Sequence, residues 1–161
     1  MPITKGLGLL QRTRTVMVSS DVGWNATDDL VLAEDQVKMP ISKSSWVYGH
    51  WVIPVDFVSD LSIQWIGFGS ADGTSGYGML GATYRYGQVG EEWDTHEHFS
   101  ATSQVSMSIS TIQAFKTVAL PSAEIGDVVT FLCQRNGVSA SDTFDSDIFS
   151  QGWLISYTAE Y

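Results

Sequence analysis

The sequence predicts an all-β protein, an antiparallel β-sandwich of the jelly-roll or Greek-key type with about eight strands. Apolar and polar side chains alternate with a period of two residues, most clearly at residues 105–110 and 153–161, as in strands with one buried face. No segment shows a sustained 3.6-residue apolar period with helix caps. Short strand-length runs between turn residues are typical of such sandwiches.

The remaining strands follow in chain order. Weaker candidates lie at residues 13–19 and 36–41, and Pro40 places the second at a strand end or a sheet edge. Asn136 and Gly137 predict a tight turn. The stronger candidates share alternation or a high content of aromatic and β-branched residues. They are residues 45–53, 61–65, 79–86, 112–120 and 128–135.

An immunoglobulin-like sandwich is the alternative fold. Its Cys…Trp…Cys framework is missing, because Cys133 is the one cysteine of the chain. The same count excludes an internal disulfide and a CxxC zinc site. The jelly-roll or Greek-key sandwich is therefore the fold that the sequence favours.

Charge divides the chain of 161 residues into two parts. Residues 1–20 contain Lys5, Arg12 and Arg14 without an acidic residue, while the whole chain has a net charge of −10. We interpret residues 1–20 as a basic amino-terminal arm with the first strand, and residues 21–161 as one sandwich domain. The three basic residues are candidates for docking on an acidic neighbour such as a second copy. The alternative is a frayed terminus that leads into the first strand.

Composition also excludes several classes of protein. A sequence pI near 4.4 argues against nucleic-acid binding, which depends on clustered lysine and arginine. No run of about eighteen apolar residues is present, so we expect no membrane span. The amino end lacks a secretory signal, which predicts synthesis in a reducing cytoplasm.

Catalytic motifs are missing from the sequence. It contains no GxSxG, P-loop, GxGxxG or HExxH pattern, so we expect no enzyme activity and no cofactor. His96 and His98, near Asp94, allow a metal site, but residues 90–98 read as an exposed acidic loop. Trp93, His96 and His98 are therefore candidate interaction residues, and no metal is predicted.

A second acidic cluster comprises Asp142, Asp145 and Asp147. Its spacing lacks the turn glycine and the closing glutamate of an EF-hand calcium loop. We therefore expect a solvated loop before the last strand.

Aromatic and apolar residues occur on both faces of several strands. Residues 46–53 are apolar on both sides, and Ile66 and Phe68 extend the face opposite Trp65. A two-layer sandwich leaves its outer faces wet, so this pattern predicts burial by identical subunits. The alternative function is a carbohydrate- or receptor-binding module, in which exposed rings such as Trp93 stack on sugars.

Five segments in order resemble virion structural β-sandwich proteins of tailed phages and related viruses. They are residues 51–58 (WVIPVDFV), the alternating residues 61–65, residues 126–135 (GDVVTFLCQR), the Ser/Asp-rich loop at residues 142–147 and the closing strand at residues 153–161, which ends in Glu and Tyr. The resemblance covers residues 45–161. It implies a homotrimer that serves as a head decoration, head fibre, turret or tail component.

This resemblance also implies partners, a location and residue roles. The partners are identical subunits and a major capsid or other virion protein, with host glycans as a further partner. The location is the virion, after synthesis in the host cytoplasm. Catalytic residues are not implied. Pro54 and Asp56 are expected to end a strand and to hydrogen-bond the following turn.

Overall fold

The computed structural model describes residues 11–19, 21–22, 32–33, 36–92 and 96–160, and within these ranges all regular structure is β. Eleven strands are present in this part of the chain, two of them only two residues long. They are β1 (Gln11–Ser19), β2 (Asp21–Val22), β3 (Leu32–Ala33), β4 (Gln36–Met39), β5 (Ser44–Val52), β6 (Phe57–Gly69), β7 (Tyr77–Gly87), β8 (His96–Ser106), β9 (Gln113–Ala119), β10 (Val128–Asn136) and β11 (Ile148–Glu160).

The strands form two antiparallel sheets. The six-stranded sheet has the order β3-β4-β11-β6-β9, with β1 also paired to β11, and the five-stranded sheet has the order β2-β5-β10-β7-β8. Between β4 and β11 the chain changes sheet at every connection except the one that joins β7 to β8. This is the topology of a jelly roll, so the predicted fold class is confirmed.

The two sheets enclose the core through the alternation that the sequence predicts. In β6, Leu61, Ile63 and Trp65 point between the sheets and are at most 2% exposed. Trp153 of β11 packs there on Phe131 of β10, with ring centroids 4.9 Å apart. Aromatic rings at such distances add to the stability gained by their burial. Trp65 and Trp153 are therefore core residues rather than exposed binding groups.

Strand β1 extends the six-stranded sheet along the second half of β11. Its nine residues pair continuously, from Gln11 opposite Glu160 to Ser19 opposite Gly152. Strand β4 pairs with the first part of the same edge, at residues 148–150 of β11. The two strands thus share one edge of β11.

One predicted strand is wrong in its position. Residues 105–110 alternate cleanly, but β8 ends at Ser106 and residues 107–112 cross to the other sheet. The Met107 amide donates to the Gly76 carbonyl oxygen at 3.0 Å, outside the β7–β8 ladder. The Gln113 side chain accepts from the Ser108 amide at 2.6 Å. The Ser110 amide donates to the Gly69 carbonyl oxygen of β6 at 2.9 Å, so contact with the six-stranded sheet outweighs the local strand pattern.

The connections gather at two ends of the sandwich. The β4–β5, β6–β7, β8–β9 and β10–β11 connections lie at one end, and the β5–β6, β7–β8 and β9–β10 connections lie at the other. Phe144 of the β10–β11 connection is 1% exposed and extends the core at the end that contains this connection. A Cβ atom at Gly69 or Gly73 would lie 2.5 or 2.6 Å from the Phe144 ring. Glycine at these positions allows the ring to enter.

Candidate functional site

The described basic residues of the predicted arm belong to β1. Arg12 and Arg14 point to the same side of β1 as Val16, which packs against the core. The Arg14 guanidinium lies 2.9 Å from the Asp56 carboxylate of the same chain. Lys5 lies outside the described residues. Docking of this segment on a second copy stays a prediction.

Asp56 has a different role from the one expected. Its carboxylate accepts from the Tyr157 hydroxyl at 3.4 Å as well as pairing with Arg14. The following turn is closed by main-chain groups, because the Phe57 amide donates to the Pro54 carbonyl oxygen at 3.1 Å. Asp56 therefore joins β1 and β11 to the β5–β6 connection, because β1 lies alongside and brings Arg14 within reach.

The two histidines lie in a strand, so the predicted loop location is wrong. His96 and His98 are in β8, opposite Tyr86 and Tyr84 of β7. The His96 ring stacks on Tyr86 with centroids 5.1 Å apart. These residues form a strand because their backbone pairs with β7, and the local acidic sequence does not show this pairing. Trp93 lies outside the described residues, and the interaction role of these three residues stays a prediction.

Asp142 is buried, contrary to the expectation of a solvated loop. It receives two hydrogen bonds from Arg135, at 3.0 and 2.9 Å, and the two side chains are 2% and 0% exposed. The other donors of Arg135 reach the carbonyl oxygens of Met39, Phe144 and Ser146 at 2.8 to 3.1 Å. All five guanidinium N–H groups are thus used. The sequence did not predict this buried ion pair, although Arg135 lies on the same inward side of β10 as Phe131 and Cys133.

The other two acids of this cluster also have structural partners. Asp145 accepts from the Thr74 amide at 2.8 Å and from its hydroxyl at 2.7 Å. Asp147 accepts from the Ile41 amide at 3.1 Å and pairs with Lys38 at 2.8 Å. The three carboxylates are therefore directed at different partners and do not converge.

Groups with catalytic potential are few in the described ranges. Burial raises the pKa of the Cys133 thiol to about 12, so the thiol is protonated at neutral pH. The neighbouring Tyr84 hydroxyl is buried, and its burial likewise raises its pKa. Among the described residues no group of three or more His, Cys, Asp or Glu could hold a metal ion. In the same part of the chain, no helix is long and apolar enough to cross a membrane.

The outer face of the six-stranded sheet carries an apolar patch. The Phe68 and Phe149 rings stack there with centroids 5.3 Å apart. Ile66 and Leu154 are half-buried on the same face, and Met17 of β1, opposite Leu154, is 48% exposed. The two apolar faces expected of the strand that contains Trp65 are confirmed.

The outer face of the five-stranded sheet combines aromatic and polar side chains. Strand register arranges them in three rows across β5, β10, β7 and β8. On β5, β10 and β7 these side chains point outward, because their neighbours along each strand are buried or packed against the core, and on β8 they lie opposite outward positions of β7. They are Trp46, Gln134, Gly81 and Thr102; then Tyr48, Leu132, Thr83 and Phe99; then His50, Thr130, Arg85 and Glu97.

Comparisons with known proteins give distant likenesses of structure. A carbohydrate-binding module, TmCBM61, solved with β-1,4-galactotriose, is 10% identical with a TM-score of 0.38, over 94% of this chain and 88% of that one. The enzymatically active domain of tailspike protein 4 of bacteriophage CBA120 is 6% identical with a TM-score of 0.39. That match covers 94% of this chain, which spans about a fifth (19%) of the tailspike chain. No family model and no curated protein matches the sequence.

Proposed function

We propose that this protein is a non-enzymatic structural protein of a virus particle of the tailed-phage type. It forms a homotrimer and decorates or attaches to the capsid or tail. The observation that carries the proposal is the apolar outer face of the six-stranded sheet, with the Phe68 and Phe149 stack near the end where β6 finishes and β11 begins. Association of subunits would bury this face.

The distribution of charge favours association through this face. Most acidic residues of the described part lie in the connections, at both ends of the sandwich. Across the middle of the outer face the side chains are neutral, such as Gln64, Ser156 and Thr15. The charge of Lys38, which lies opposite Phe149, is paired with Asp147 at 2.8 Å. Two copies of a chain with a net charge of −10 repel each other, so contact through a neutral face separates their acids best.

The size of the face is sufficient for a stable contact. Strands β6 and β11 have 13 residues each. With about 3.3 Å per residue and about 4.8 Å of width per strand, these two strands together with β1 (9 residues) and β9 (7 residues) give the face an area of about 670 Å². A standard protein interface buries about 600–1,000 Å² on each partner.

The segments that resemble virion proteins support the same interpretation, because their polar residues form contacts that stabilise the sandwich. Asp56 holds β1 and β11, and Arg135 holds the β10–β11 connection. The Asp127 carboxylate accepts from the Glu124 amide at 2.8 Å in the β9–β10 connection. These roles suit a scaffold whose function lies in its surfaces. Jelly rolls are common among viral capsid and lectin domains.

Two measurements test the proposal. Light scattering of the purified protein is expected to give the mass of three chains, and mass spectrometry is expected to find the chain in purified particles. Leu154→Glu, which adds a charge to the face, should dissociate the oligomer. Thr83→Glu, on the outer face of the other sheet, is the matched control and should leave the mass unchanged. A monomer absent from particles would contradict the proposal.

The carbohydrate- or receptor-binding alternative concerns a different surface. Trp65 and Trp153 are core residues, which removes two of the six tryptophans as sugar platforms. Trp46 remains, half-buried on the outer face of the five-stranded sheet beside polar side chains. This placement favours that face for a ligand.

A further inference from the structure

We propose that the outer face of the five-stranded sheet is a binding site for a neutral oligosaccharide. This inference concerns the sheet opposite the proposed subunit contact and is independent of the virion role. It rests on the ring surfaces, on the hydrogen-bonded Gln134 and Thr102 side chains over Gly81, and on the charge of the face.

Aromatic rings occupy two adjacent rows of the face. Trp46 and Tyr48 are two residues apart on β5 and lie on the same side of the strand, so their Cα atoms are about 7 Å apart. Phe99 lies three strands away in the Tyr48 row and is 60% exposed. The C–H groups of a sugar ring pack on such aromatic surfaces through dispersion. Aromatic rings also bind protein surfaces, so the class of ligand must be decided by the groups beside them.

The first row supplies polar groups beside the rings, because the Thr102 and Gln134 side chains fill the space over Gly81. Gly81 has no side chain, and a Cβ atom there would lie 2.5 Å from the Thr102 hydroxyl oxygen and 3.2 Å from Gln134 Nε2. Gln134 Nε2 donates to the Thr102 oxygen at 2.8 Å. This bond orients the amide and the hydroxyl together, so that Gln134 Oε1 can accept and the Thr102 hydroxyl can donate. Paired donors and acceptors of this kind match the hydroxyl groups of a sugar.

The charge of the face selects a neutral ligand. Arg85 and Glu97 belong to the third row, the one that contains His50, and they form an ion pair with each other at 2.6 Å. The rows that contain Trp46 and Tyr48 have no ionisable side chain other than Tyr48 itself. An anionic polymer would also be repelled by a chain with a net charge of −10. A neutral glycan therefore fits better than a sulfated glycan, a nucleic acid or an acidic peptide.

The first experiment measures binding of the full chain by isothermal titration calorimetry and affinity electrophoresis. The probes are soluble neutral polysaccharides (β-glucan, galactan, mannan and xyloglucan), and heparin is the anionic control. We expect binding of at least one neutral polysaccharide and none of heparin. The proposal is overturned if none of the neutral probes binds, or if heparin alone binds.

Variants then locate the site. Trp46→Ala is expected to weaken binding by about tenfold or more, as for central aromatic contacts in other interfaces. Thr102→Val, nearly equal in shape, should weaken binding by a smaller factor, and it supplies the answer if Trp46→Ala fails to fold. Val55→Ala, at a residue that is 87% exposed in the β5–β6 connection and belongs to neither proposed surface, is the control and should bind as the native chain does. Unchanged binding by folded Trp46→Ala or by Thr102→Val overturns this location.

Discussion

Each end of the sandwich contains an ion pair between an arginine and an aspartate. One of these pairs is buried, and the other is partly exposed to solvent. At one end Arg135 and Asp142 are 0% and 2% exposed, and three carbonyl oxygens complete the contacts of the guanidinium. At the other end Arg14 and Asp56 are 43% and 20% exposed, and the contact distance is the same 2.9 Å. Distance therefore does not distinguish the two pairs, but burial does.

Burial changes what each pair contributes. A buried charge that loses its partner cannot be solvated by water, so breaking such a pair is strongly destabilising. An exposed pair exchanges its contact for water and salt, so its loss costs little. We infer that the Arg135 end is fixed in one arrangement, whereas the Arg14 end depends mainly on the nine backbone pairs between β1 and β11.

The largest expected effect comes from Asp142→Asn. This change leaves the Arg135 guanidinium buried without a counter-charge and should lower the free energy of unfolding by about 3–5 kcal/mol. Denaturant unfolding followed by tryptophan fluorescence measures it. A loss below about 1 kcal/mol would contradict the role assigned to the buried pair.

Arg135→Lys serves as the companion variant. Lysine keeps the charge but has three donors for the positions that five guanidinium N–H groups now satisfy. We expect a loss of about 1–3 kcal/mol, because at least one buried acceptor loses its donor. Rescue to native stability would show that charge alone matters at this site.

A smaller effect is expected from Arg14→Gln at the exposed end. The free energy of unfolding should fall by about 0.2–1 kcal/mol, and the difference from the native chain should shrink in high salt because the pair is partly exposed. Denaturant unfolding at low and high salt measures this. A loss as large as that of Asp142→Asn would remove the distinction between the two ends.

The smallest effect concerns one exposed carboxylate at each end. Hydrogen bonds from the Thr74 amide and hydroxyl lower the pKa of Asp145, and those from the Ser59 and Thr158 hydroxyls lower the pKa of Asp60. Their contribution to stability is present above the ordinary aspartate pKa and is lost as pH falls through the lowered pKa. Carboxyl NMR titration should place both pKa values below the ordinary one. Thr74→Val should raise that of Asp145 and leave that of Asp60 unchanged.

Prediction from the sequence succeeded where a residue's surroundings follow from its own strand. The alternation of Leu61, Ile63 and Trp65 specifies an inward face, whatever the neighbouring strand is. It failed where contact with another strand decides. His96 and His98 are in a strand because β7 pairs with them, and Asp56 meets Arg14, 42 positions away, because β1 lies beside β11.

The class of fold can be read from the sequence alone, as can the inward residues of most strands and the apolar nature of both faces around Trp65. These properties follow from the two-residue period of a strand, which is local. Tertiary packing is needed to bury Arg135 with Asp142. It also brings Trp46, Gln134 and Thr102 into one row. Strand order and register set those neighbours, and both depend on packing between segments far apart in the chain.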